Sequence, residues 1–143
     1  MKGPATQIIG GTEAVRYEYP WMVEILRSDN SFWTCGATLL SCDPLIVVSA
    51  AHCFQGTNAV VTGAKLAFGS FNADSQDTGE IRLAISEVIN HPQYNSVTQE
   101  NDIAVIKVSG TLTCEKKKIW PACLPNTNVS KCVTNIRTMI TQR

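Results

Sequence analysis

Six short runs rich in aliphatic and β-branched residues constrain this chain more than any other feature. They are WMVEIL (21–26), CGATLL (35–40), LIVVSA (45–50), AKLAFG (64–69), IRLAISEVI (81–89) and DIAVIKV (102–108). Runs of this kind read as strands, and the Asn, Asp, Gly and Ser clusters between them read as turns. No amphipathic helical pattern, internal repeat or low-complexity segment interrupts the series. Short strands at this spacing predict an all-β fold, an antiparallel barrel or sandwich.

The 143 residues suffice for one domain with one core. Twelve basic and twelve acidic residues cancel, which argues against a dedicated nucleic-acid binder and offers no attraction to a membrane surface. No apolar run approaches the roughly 20 residues that span a bilayer. The six cysteines are irregularly spaced and form no CxxC pair, a pattern that fits a disulfide framework better than a zinc site. That pattern predicts an extracellular protein. The opening MKGPATQIIGG lacks the apolar core of a signal peptide, so the expectation is a chain whose start is incomplete.

LIVVSA and DIAVIKV are the most continuously apolar runs, and both are expected to face the core. If they pair antiparallel, the end of the first lies beside the start of the second. His52 follows the first run and Asp102 begins the second, so pairing brings imidazole and carboxylate to one rim of the sheet. The same register brings Cys42 and Cys114 together at the opposite rim. A carboxylate accepting the Nδ1–H of a histidine sets its tautomer and leaves Nε2 available as a general base.

PWMVEI, CGATLL, VVSAAHC, NDIAVIKV and PACLP occur in the order, and at roughly the spacing, of the N-terminal half of trypsin/chymotrypsin-family serine proteases. The resemblance covers about residues 8–125. It implies the first of that family's two barrels, with His52 as the catalytic base and Asp102 as the carboxylate that orients it. It implies further that Cys53 pins the histidine turn to Cys35, and that the alanines of SAAHC let the turn lie close to the barrel. Ser49 is then a small packing residue rather than the nucleophile. IIGG at 8–11 resembles the start of the mature enzyme, with Ile8 as the new N-terminus if processing occurs. The domain reading is therefore a short leader over 1–7, a barrel over 8–125 and an aberrant, poorly ordered tail over 126–143.

The chain departs from the family at its chemical centre. It contains no stretch like GDSGGP, in which the family carries its nucleophilic serine; its only Gly-Ser is Gly69-Ser70. Gln7 stands before Ile8, where trypsin-like processing expects Lys or Arg. SFNADSQDTGE (70–80) occupies the family's calcium-loop region with Glu80 as a candidate ligand, but Ser70 stands where an acidic ligand is expected. No metal and no cofactor is therefore expected. Cys132 matches a cysteine whose partner lies in the second barrel and is expected to be orphaned; Cys123 finds no partner in the leader. Asn128-Val-Ser130 is a glycosylation sequon in a secreted chain, Lys116–Lys118 reads as a solvated turn, and His91 reads as a surface-loop residue. Three readings follow: the N-terminal part of a secreted serine endopeptidase acting on proteins or peptides, a truncated non-catalytic homologue acting only by binding, and a gene-model fragment.

Overall fold

A computed structural model describes residues 14–55, 63–72 and 75–124 of the chain. The leader over 1–7, Ile8, the sequon at Asn128, Cys132 and the tail over 126–143 lie outside the described residues.

The described chain is all-β. Its strands are β1 (Met22–Leu26), β2 (Phe32–Cys42), β3 (Leu45–Ser49), β4 (Lys65–Phe68), β5 (Ile81–Asn90) and β6 (Ala104–Val108). They close into an antiparallel barrel in the order β1-β2-β3-β6-β5-β4, with β4 returning to pair with β1. Among the described residues the helical structure is a single 3₁₀ turn, Ala51–Phe54. All six runs that read as strands are strands. CGATLL is only the middle of β2, which extends in both directions beyond that run.

Three register shifts, at Glu24/Leu26, Leu39/Ser41 and Ile85/Glu87, interrupt the ladders. An extra residue on one strand bends it and increases its twist, which lets a short sheet curl into closure. Closure gives the alternating side chains an inside and an outside. Val23 and Ile25 from β1, Leu39 from β2, Val47 from β3, Leu66 and Phe68 from β4 and Ile106 from β6 fill the interior, each almost fully buried. Beyond β6, Leu112 and Ile119 join the same core. Outside, Val105 of β6 sits opposite Val48 of β3 on one side and Ile89 of β5 on the other. With Ile103 they leave apolar surface on the outer face next to Asp102.

The pairing that the sequence suggests between residues 45–50 and 102–108 is present as Val47↔Ile106, Val48↔Val105 and Ser49↔Ala104. It starts later than the apolar run, because Asp102 and Ile103 precede the strand. Ile103 closes the 91–101 loop, with its amide donating to the Asn101 carbonyl and its own carbonyl accepting from His91 N–H. Lys116–Lys118 forms the turn of a small β-bridge between Glu115 and Ile119. There Lys118 approaches Glu115 at 3.6 Å, and Lys116 lies over the Trp120 ring.

Two disulfides join described residues. Cys35–Cys53 has its Cα atoms 6.1 Å apart and Cys42–Cys114 5.9 Å apart, within the ordinary range for a disulfide. Cys123, for which the leader offers no partner, is also disulfide-bonded. The bridges cross-link sequence separations of 18 and 72 residues. Loop entropy alone gives the longer about 4 kcal/mol and the shorter about 3. Cys42→Ala with Cys114→Ala is therefore expected to cost more stability than Cys35→Ala with Cys53→Ala, as read from denaturant midpoints. Non-reducing peptide mapping should return both bridges and a third cross-linked peptide containing Cys123.

Candidate active site

The site grows out of the β3–β6 ladder. Ser49 ends β3 and spends its hydroxyl on the Gly36 carbonyl of β2 at 2.8 Å. Ala50 is extended, and the chain then tightens into the 3₁₀ turn. Ala51 is fully buried and Phe54 nearly so, which presses the turn onto the barrel. Between these two anchors His52 faces outward with its side chain half exposed, and Cys53 is tied to β2 through Cys35.

Asp102 meets this turn from two residues before β6. Its Oδ2 lies 2.6 Å from His52 Nδ1, and its Oδ1 accepts the His52 backbone N–H at 2.8 Å. The Ala51 amide also donates to it. One carboxylate thus holds both the ring and the backbone of the same residue. Partial burial pushes the Asp102 carboxyl up, and the hydrogen bonds from His52 and Ala51 more than offset this, holding it below the ordinary carboxylate value. An ionised carboxylate can only accept, so Nδ1 carries the proton in the neutral ring and Nε2 keeps its lone pair. Nε2 lies 3.6 Å from Cys53 Sγ, a disulfide sulfur with no proton to give. The arrangement is an oriented base with an accessible lone pair.

Two contributors escaped the sequence reading. The Gln55 side-chain amide donates to the Tyr94 hydroxyl, tying the end of the histidine turn to the 91–101 loop that leads into Asp102. The backbone amides at 51 and 52 carry no sequence signature at all. His91 stays within its own loop, accepting the Gln93 N–H at 3.2 Å. The Cys35, Cys53 and His52 donor atoms cluster within 4.8 Å. Both sulfurs are already oxidised to a disulfide, however, and supply no thiolate for a metal.

A family model described as Trypsin matches residues 8–141. The chain belongs to the trypsin family of serine proteases. It is similar to transmembrane protease serine 9 of Rattus norvegicus, with 35% identity over 121 residues, covering 85% of this chain and 11% of that protein. It is 31% identical over 124 residues to chymotrypsin-C of Bos taurus, covering 85% of this chain and 44% of the relative. With vitamin K-dependent protein C of Mus musculus it shares 30% over 131 residues, covering 92% and 27%. The chain thus spans less than half the length of these relatives. Among the described residues no helix is long and apolar enough to cross a membrane.

The depressed Asp102 carboxyl makes stability depend on pH. Its folded pKa lies below the unfolded one, so its contribution is complete above the unfolded value and disappears as pH falls through the folded value. The stability gap between the parent chain and Asp102→Asn is expected to be constant near neutrality and to shrink below about pH 4. Urea unfolding at stepped pH measures it. Tyr94→Phe keeps the ring and removes the hydroxyl; faster amide exchange at Gln55, with little change elsewhere in the barrel, is the expected result.

Proposed function

We propose that this chain supplies the general-base half of a secreted serine endopeptidase site. His52 Nε2 takes the proton of a serine hydroxyl as that oxygen attacks the scissile carbonyl, then returns it to the leaving amine. Asp102 keeps the ring in the productive tautomer and stabilises the imidazolium formed between those two transfers. The supporting observation is the double hold of Asp102 on His52, with Nε2 left accessible. Protein or peptide substrates follow from the family, and the disulfides fit an oxidising, extracellular setting.

In this reading the nucleophile, the oxyanion-hole amides beside it and the pocket selecting the substrate side chain come from sequence beyond these 143 residues. The apolar outer surface at Ile103 and Val105, next to Asp102, suits contact with that missing part. A second reading is a non-catalytic homologue acting by binding; in both readings Ser49, bonded to the Gly36 carbonyl, is a packing residue rather than a nucleophile.

Residues 1–143 alone, refolded with disulfides formed, are expected neither to react with a serine-directed fluorophosphonate nor to cleave a peptide panel. The parts of such a site act as a unit, so a base without its nucleophile retains little. A full-length transcript with a downstream GDSGG exon should yield an active protease, and His52→Ala in that product should lower kcat by about 10⁴ or more. A verified stop after Arg143 selects the binding reading. Stoichiometric labelling of the 143-residue chain would overturn both.

A further inference from the structure

The segment over 70–80 is where the family resemblance places a calcium loop, and its described residues, 70–72 and 75–80, do not fit that ion. Calcium takes six to eight oxygen ligands, with carboxylates prominent among them. Among the described residues, the carboxylate oxygens of Asp77 and Glu80 already accept from N–H donors. Asp77 Oδ2 accepts the amides of Phe71 at 2.6 Å and Asn72 at 2.9 Å, while Oδ1 is paired with the Arg16 guanidinium. Glu80 Oε2 accepts the Asp77 amide at 3.1 Å, and Oε1 is paired with Arg82 Nε. Both acids are deeply buried, Asp77 with 8% of its side chain exposed and Glu80 with none. Ser70 contributes a donor where an acid is needed, its hydroxyl donating to Glu24 Oε2 at 2.9 Å.

We infer that Arg16 and Arg82 hold this loop in place of a divalent cation. A guanidinium suits the task, because its planar fork and low hydration cost let it enter a partly buried acidic cluster. Arg16 also lies over the Tyr17 and Phe71 rings, 5.5 and 5.3 Å from their centroids. Arg82 reaches the buried Glu80 from β5, the strand that the loop feeds. The two arginines therefore fasten the loop from two separate elements, one from the segment preceding β1 and one from β5. Glu24 is the third acid of the cluster, on β1, and Ser70 alone among the named donors serves it. The tight turn at Gly79 has φ +78°, and a Cβ there would meet Lys118 Nζ, which brings another cation to the loop's edge. Through Arg16 the same clamp docks the segment before β1 onto the barrel.

The inference is independent of the catalytic reading and is tested without activity. The disulfide-bonded chain is heated in millimolar calcium and in excess EDTA, and amide exchange is followed at Phe71, Asn72 and Asp77. The parent chain should melt at the same temperature in both solutions. Arg82→Gln should melt several degrees lower, with Arg82→Lys between it and the parent. If Arg82→Gln does not fold, Arg16→Gln at the partly exposed site serves instead, and should speed exchange at Phe71 and Asn72 severalfold. A parent melting temperature raised by calcium overturns the inference. So does unchanged exchange at these amides in Arg16→Gln.

Discussion

The antiparallel ladder between Leu45–Ser49 and Ala104–Val108 is the contact on which the rest of the molecule depends. It joins two stretches more than fifty residues apart in sequence, so closing it costs loop entropy that only burial can offset. Val47 and Ile106, opposite one another and buried inside, supply part of that burial. Once the ladder exists, its two ends are committed. Ser49 beside Ala104 puts the histidine turn next to Asp102, and at the other end Cys42 and Cys114 come within bridging distance. A chemical site and a covalent lock are both consequences of one strand pairing.

Barrel closure then decides how rigid that site is. A flat sheet would leave the histidine turn on an open edge, where it has few neighbours. Curling the sheet buries Ala51 and Phe54 against the core, so His52 is carried on a support anchored on both sides. The Cys35–Cys53 bridge adds an anchor to β2, and Tyr94 adds one to the opposite loop through Gln55. The ring itself stays half exposed. That combination suits a base that must meet an incoming group without reorganising.

Three carboxylates are held in the same way. The carboxylates of Asp102, Asp77 and Glu80 each sit where backbone amides and a cationic or ring N–H partner converge. Burying an acid is costly unless its lone pairs are met, and the barrel meets them locally instead of excluding the acids. At Asp102 the partner is a titratable ring, which makes the pair suited to proton transfer. At Asp77 and Glu80 the partners are guanidiniums that stay charged, which makes those pairs supports.

Fold class and the His52–Asp102 contact were legible because they rest on local pattern: β-branched runs broken by turn residues, and SAAHC and NDIA at the ends of the two most apolar ones. His52 and Asp102 were readable as neighbours because antiparallel pairing maps sequence ends onto a common rim. The extent of β2 was not, since its outer residues are polar or aromatic and become strand only through pairing with β1 and β3. Nor were Gln55 with Tyr94, Arg16 with Asp77, or a partner for Cys123, because each joins positions that no periodicity relates. The sequence by itself determined which segments could be strands and which residues could do acid–base work. Only the tertiary structure decided which amides hold the carboxylates, where the arginines land and how the sheet closes, because those depend on the three-dimensional meeting of distant backbone groups whose hydrogen bonds leave no mark in residue type.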